Sequence, residues 1–466
     1  MTVESNTTTT DRNEATQPSA LIIPESAHPI REHQLDREAL KVLYRLRDAG
    51  FKGYLVGGGV RDLYLGKIPK DFDISTDARP GQLRQLFRNS RTIGRRFRLV
   101  QVFFRGNKII EVSTLRSSSE FDIDGEEQIL PSNNTFGTLE EDAFRRDLTI
   151  NSLFYEIENH TVIDYTGGVD DLNNRIIRMV GDPDRRFTRD PVRIMRVVRH
   201  AARTGFAIEP ATRAALDRHD DKLRLCPPSR IRDEILKDLQ SGLSRPWAEL
   251  CMITPLWAAL FPMYGEALRD ASEHAIEQLL QILNILDRLY SIRDESRTIA
   301  IPEPFLFAAL MLPWACQRYN IPETNVRGQG FHRLSTTIRA DIEQSWGEPF
   351  NIQRMAKDSI ATLLINLSTF HHARKHGADP KWLKKKSYYA ECSRFYELYL
   401  ASVGQAVVRE GDYFLEAAGR PEVEVVSLPA DTEEMTESRG RGRSGGINPA
   451  FTSKKNGVFG LRRRQH

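Results

Sequence analysis

The chain has 466 residues, with 66 Lys and Arg against 63 Asp and Glu, a formal net charge of +3, and four cysteines. That length can bury a large core in about two to four domains, and the ordinary composition suits a soluble globular protein. No apolar run reaches the roughly 18 residues of a membrane span, and the opening MTVESNTTTTDRNEATQPSA lacks the basic and apolar regions of a secretory signal. The expected address is cytoplasmic. Cys226, Cys251, Cys316 and Cys392 form no C-x-x-C pair, so neither a zinc ribbon nor a disulfide framework is indicated.

The first 20 or so residues are polar and read as disordered. LDREALKVLYRLRDAG follows as a helix, with Leu40, Leu43 and Arg47 at helical spacing, Asp36 as its cap and Gly50 as its stop. Next come a short buried strand, YLV, three glycines, a brief helix in VRDLYLG and a strand in DFDIS. RPGQLRQLFRN reads as a helix. RLVQVFF and KIIEVSTL read as strands joined by the turn Arg105–Gly106–Asn107. Residues 116–135 are polar and turn-rich and predict a mobile loop. EEDAFRRDLTINSLFYEI reads as a helix start running into a strand that pairs with TVIDYTGG, which completes an α+β domain with a small mixed sheet. Beyond about residue 176 the strand signal vanishes and helical patterns take over, up to a Gly-, Ser- and Arg-rich tail from Pro421.

The stretch GGGVRDLYLGKIPKDFDIS, residues 57–75, sets Asp71 and Asp73 one residue apart. On a strand, side chains at i and i+2 share a face, and two neighbouring carboxylates repel and lose hydration unless something positive lies between them. A hard divalent cation, Mg²⁺ or Mn²⁺, suits such oxygen donors. Glu111, flanked by apolar residues in KIIEVSTL, is the candidate third carboxylate of a two-metal phosphoryl-transfer site. Gly57, Gly58 and Gly59 expose backbone N–H groups at a helix start, where phosphates bind, and Arg61 lies close by. Taken singly, a D-x-D pair also suits a solvated strand edge, and a glycine triplet suits a plain tight turn. Order and spacing together favour the site.

As a unit, LVGGGVRDLYLGKIPKDFDIST resembles motif A of the class II nucleotidyltransferases, the family of bacterial poly(A) polymerases and CCA-adding tRNA nucleotidyltransferases. The resemblance implies that Asp71 and Asp73 hold catalytic magnesium and that Gly58 and Gly59 bind the triphosphate. EEDAFRRDLTINSL resembles the family's R-R-D motif, which implies nucleotide contacts for Arg146 and Asn151 and a ribose-orienting, catalytic role for Asp147. TRDPVRIMRVVRHAAR is similar to the E-D-x-x-R segment that reads the base, with Asp190 and Arg193 in place and Arg189 where the family has Glu. Asp190 before Pro191 also suits a helix N-cap. TIGRRFRLVQVF resembles a stretch of the poly(A) branch, with Gln101 where His is usual; Arg95, Arg96 and Arg98 in or beside it suit contacts to triphosphate or RNA.

The resemblance is good over about residues 22–260 and weaker to about 420. It implies an extended or disordered stretch 1–34, a nucleotidyltransferase head 35–175, a helical base-reading neck 176–260, a helical RNA-binding body 261–420 and a flexible basic tail 421–466. The activity implied is template-independent addition of AMP from ATP to RNA 3′ ends, in the setting of RNA decay. Basic residues such as Lys384, Lys385, Lys386 and Arg462–Arg464 would track the RNA. A CCA-adding enzyme and a catalytically idle RNA-binding protein are the competing readings.

Overall fold

The structure is a computed structural model that describes residues 20–94, 98–117, 136–265, 273–291, 297–299, 301–324, 328–406 and 415–417. The leading segment 1–19, Arg95, Arg96, nearly all of the loop expected over 116–135, and the tail with Arg462–Arg464 lie outside the described residues.

The N-terminal part is built on one eight-stranded mixed sheet, wider than the small sheet expected. Its strands are β1 (Leu21–Ile23), β2 (Gly53–Val56), β3 (Asp73–Thr76), β4 (Ser90–Ile93), β5 (Leu99–Phe103), β6 (Ile109–Thr114), β7 (Phe154–Glu156) and β8 (Thr161–Asp164). They lie in the order β1-β8-β7-β2-β3-β6-β5-β4. The extra width comes from two short strands: β1, drawn from the leading polar region onto β8, and β4 on the far edge. Only β3 and β6 run parallel, with Ile74 opposite Val112 and Ser75 opposite Ser113; β5 supplies the hairpin that makes this possible, turning at Arg105–Asn107 through Gly106 at φ 74°.

Alternation decides the two faces of the sheet. Leu55, Ile74, Val100 and Val112 are buried on one face, against α1 (Arg37–Asp48). Asp36 caps α1 as expected, accepting from the N–H groups of Glu38 and Ala39 at 2.9 and 3.1 Å. The buried stripe is Ala39, Val42, Leu43 and Leu46, and Arg47 is exposed. The helix is therefore turned slightly from the Leu40–Leu43–Arg47 line, because Val42 and Leu46 fill the sheet better than a charged side chain could. On the other face Tyr54, Val56, Leu115, Ala143 and Phe154 form a small separate cluster. That face carries the acidic residues.

Helices α2 (Gly58–Tyr64), α3 (Pro80–Leu86), α4 (Leu139–Phe144) and α5 (Gly168–Asn174) complete this part. Gly168 opens α5 pressed against the carbonyl of Thr149, and a Cβ there would collide with that oxygen. Gly168→Ala is expected to cost about 1–3 kcal/mol in urea unfolding, as an overpacked contact with backbone does.

The remainder is helical, apart from two strand pairs where none was expected. Ile176–Ile177 runs parallel to Ala207–Ile208, and Arg297–Ile299 pairs antiparallel with Leu415–Ala417. Segments of two or three residues are too short to show a two-residue period, so the sequence pattern could not reveal them. Helix α6 (Pro183–Arg189) leads to α7 (Val192–Thr204), then α8 (Pro210–His219) and α9 (Pro228–Leu239). Arg199 of α7 is buried between Glu234 and Asp238 of α9 and joins these helices through a doubly paired guanidinium, with Nη2 donating to Asp238 at 2.9 Å. Further on, Trp247, Trp257, Phe261, Tyr264, Trp346 and Phe350 pack ring against ring. Among the described residues, no helix is long and apolar enough to cross a membrane.

Candidate active site

The parallel register of β3 and β6 builds the acidic patch. The hydroxyls of Ser75 and Ser113 lie 3.0 Å apart, so these two residues point to one side. Two residues earlier on each strand, Asp73 and Glu111 stand on that same side as neighbours. Asp71 lies just ahead of β3 rather than within it, so strand alternation does not itself place it as expected; both aspartates are exposed, and the Asp71 charge acts on Asp73. Glu111 accepts a hydrogen bond from Gln101 Nε2 at 2.9 Å across the β5–β6 pair.

Asp73 is pushed up to about 6, first by the crowding of protein around it, which strips hydration, and then by the charges of Glu111 and Asp71; Arg146 opposes the rise. Among the described residues none of these three carboxylates has an ion-pair partner, and no three acidic, His or Cys side chains converge tightly enough to hold a metal as they stand. The donor atoms these three side chains offer are all oxygen, the kind that a hard divalent cation takes.

The glycine turn packs beside this patch. Gly57 sits at φ 68°, where an L side chain is strained, and a Cβ there would lie 3.4 Å from Arg146 Nη1. Gly59 approaches the Asp71 carbonyl oxygen equally closely. Gly58 and Gly59 open α2. Arg61 is turned inward: its Nη1 donates to Asn151 Oδ1 at 2.7 Å and lies 3.3 Å from His200 Nδ1, while Nη2 pairs with Asp62 at 2.8 Å.

The R-R-D segment hangs on Asp142, which has no exposed surface. It accepts from Arg145 Nε at 2.7 Å and Arg146 Nη2 at 2.9 Å. Burial alone would raise the Asp142 carboxyl, but Arg146 and Arg145 outweigh burial and hold it below the ordinary aspartate value. Arg146 then lies over the Phe154 ring, 5.1 Å from its centre, and donates to Ser75 Oγ at 3.3 Å, on the carboxylate side of the sheet. Asp147 is buried and faces α7, pairing with Arg196 Nε at 2.8 Å. Burial pushes its carboxyl up, and Arg196, His200 and Arg193 together override that and hold it low.

Helix α7 closes the site. Arg193 donates to the carbonyls of Arg146 and Arg145 at 3.3 and 3.4 Å and lies 3.6 Å from Asp190. Asp190 does not cap α7; Pro191 takes that position, and the Asp190 carboxylate is drawn to Arg230 of α9, with N···O distances of 2.7 and 2.9 Å. Arg189 is half-buried and Arg98 is exposed. The sequence reading missed Asp142, His200 and Arg230. Asp142 could have been found three and four residues ahead of the two arginines, and His200 seven beyond Arg193; Arg230 carries no local signal.

Residues 53–178 match the family model "Poly A polymerase head domain", and residues 205–268 match "Probable RNA and SrmB- binding site of polymerase A". The chain is 44% identical to poly(A) polymerase I of Salmonella typhi over 302 residues, 63% of this chain and 64% of that protein. It is 36% identical to poly(A) polymerase I of Haemophilus influenzae over 296 residues, 62% of this chain and 64% of that protein. It thus covers less than two thirds of the length of these relatives. A CCA-adding enzyme of Lactobacillus helveticus is 39% identical over 201 residues, 43% of this chain and 49% of that protein. In fold, the chain resembles a CCA-adding enzyme in its apo form II, with TM-score 0.53 at 18% identity over 82% of each chain.

The glycine turn and the acidic patch both lie within the residues that match the head-domain model. Over the matched residues the chain is similar both to bacterial poly(A) polymerases and to CCA-adding enzymes.

Proposed function

We propose that this chain is a poly(A) polymerase that adds AMP from ATP to RNA 3′ ends without a template and releases pyrophosphate. The observation that carries the reading is Asp73 beside Glu111 on one side of the sheet, next to the glycine turn and Arg146. The 44% identity to a poly(A) polymerase I, over a longer span than the match to a CCA-adding enzyme, favours the poly(A) branch.

Asp71, Asp73 and Glu111 would hold Mg²⁺ or Mn²⁺. When bound, such ions polarise the α-phosphate, activate the primer 3′-hydroxyl and neutralise the departing pyrophosphate. Gly58 and Gly59 offer backbone N–H groups to the triphosphate, and Arg146 supplies positive charge beside it. Asp147 would accept from ribose hydroxyls, with Asn151 and Arg61 braced against each other and against His200. Asp190 and Arg193 present an acceptor and donors to the base edge. In the reaction the 3′-oxygen forms a bond to the α-phosphorus, the bond to the bridging oxygen of the β-phosphate breaks, and the hydroxyl proton passes to a carboxylate of the acidic set. Cytoplasmic RNA, with 3′ tails that give exonucleases a foothold, is the setting this chemistry suits.

The test offers one nucleoside triphosphate at a time, with Mg²⁺, to an unstructured RNA primer and to a tRNA lacking its terminal CCA. Long ladders with ATP and little product with CTP are expected, and chelation of the metal should stop extension. Products that end after CCA on the tRNA would assign the chain to the CCA-adding branch instead, and no extension on either RNA would overturn both.

A further inference from the structure

The chain has five tryptophans. Trp247, Trp257, Trp314 and Trp346 are all at most 5% exposed, whereas Trp382 is 50% exposed. Trp382 sits in KWLKKK, between the helices Arg354–Lys375 and Tyr389–Ser402, at the head of a short 3₁₀ turn. An indole left half in water loses stabilisation that burial would supply, so its position asks for a cause.

The loop that presents it is firmly held. Leu383, the next residue, is fully buried. Asp379 draws in Arg374 at 2.7 Å, Lys384 at 3.1 Å and the Tyr389 hydroxyl at 3.1 Å. Phe331 meets the Trp382 ring edge-on, with centres 6.4 Å apart and an 88° angle between planes. Around this braced indole, Lys381, Lys384, Lys385 and Lys386 are exposed, and among the described residues Lys381, Lys385 and Lys386 have no ion-pair partner.

We infer that Trp382 is a stacking platform for a base of single-stranded RNA, with Lys381, Lys385 and Lys386 engaging the flanking phosphates. Charge decides the occupant. A protein partner or a second copy would meet three uncompensated ammonium groups beside the ring, whereas a nucleic-acid strand supplies phosphates at the spacing of its bases and a π-face for the indole. A held aromatic loses little freedom on binding. The contact reads no sequence, which suits a strand that changes at every added nucleotide. This inference deepens the proposed function and rests on RNA being the substrate.

Because Trp382 is the exposed tryptophan, its fluorescence reports on the contact directly. Oligo(A) added without ATP or metal is expected to quench the solvent-accessible emission of the full chain and shield it from acrylamide, an effect absent in Trp382→Phe. Trp382→Ala should weaken oligo(A) binding by about five- to a hundredfold, and raise the KM for primer more than it lowers kcat. Trp382→Phe should restore most of the binding, and its unfolding midpoint serves as a folding control. Lys385→Glu with Lys386→Glu should flatten the salt dependence. If the wild type extends primers while its accessible emission ignores RNA, the stacking site is wrong and the proposed activity stands. If RNA quenches Trp382 and no extension occurs, the activity is wrong and the site stands. A protein ligand or self-association that shields Trp382 in place of RNA would overturn the inference.

Discussion

Asp73→Asn is expected to lower kcat for AMP transfer by about a thousandfold, the scale of removing one preorganised charge-stabilising group, without harming the fold. In the ion-free protein the Asp73 carboxyl titrates at about 6 rather than near 3.8, because crowding and the neighbouring Glu111 and Asp71 disfavour its charge. The folded state therefore binds this proton more tightly than the unfolded chain. That contribution to stability is complete below about pH 3.8 and is lost as pH rises through 6. At pH 7 the carboxylate is a small local burden, which asparagine relieves. The melting temperature of the ion-free variant should match or slightly exceed that of the wild type. Mg²⁺ should raise the melting temperature of the wild type at pH 7, raise it less at pH 5.5 where protons compete for Asp73, and scarcely move the variant. Transfer retained above a tenth of the wild-type rate, or an equal Mg²⁺ shift in both proteins, would remove Asp73 from the metal set.

Asp142→Asn should be the most destabilising single change near the site. Asp142 is fully buried and serves two guanidinium groups at once. Removing its charge leaves Arg145 and Arg146 without their counter-ion, a loss of about 3–5 kcal/mol for a broken buried pair. The two arginines hold the Asp142 carboxyl below its ordinary value, against burial. The stabilisation is thus present above the unfolded value near 3.8 and is lost as pH falls through the lower folded one. The gap between wild type and variant, read by urea unfolding, should be full at pH 7 and narrow below pH 4. Arg146 would also leave its place over Phe154 and Ser75, so transfer should fall even at temperatures where the variant stays folded. A cost under 1 kcal/mol at pH 7 would show that the arginines find other partners.

What was legible in the sequence was what is local. The glycine turn, the cap at Asp36 and the hairpin at Gly106 each depend on residues a few positions apart, and each is found as read. Glu111 was marked by its apolar neighbours, but its place beside Asp73 depends on a parallel register between strands separated by a helix and a hairpin, which no window of sequence displays. Asp190 shows the converse. Asp before Pro is a good local cap signal, and a guanidinium forty residues away outcompeted it. The Asp142 pairing was within reach, since three- and four-residue spacing on a helix is legible.

Helix α7 is gripped on two adjacent faces. Arg193, Arg196 and His200 engage the segment from Arg145 to Asn151 on one side, while Arg199 is locked to Glu234 and Asp238 on the other. A one-residue rotation of a helix, about 100°, would withdraw all three contacts together, and the buried carboxylates on α9 are what forbid it. Under the proposed function, the aim of the ribose and base contacts would therefore be set by an ion-pair cluster that touches neither. Substitutions far down the chain, in how α9 seats against its neighbours, would then have a mechanical lever on the segment from Arg145 to Asn151.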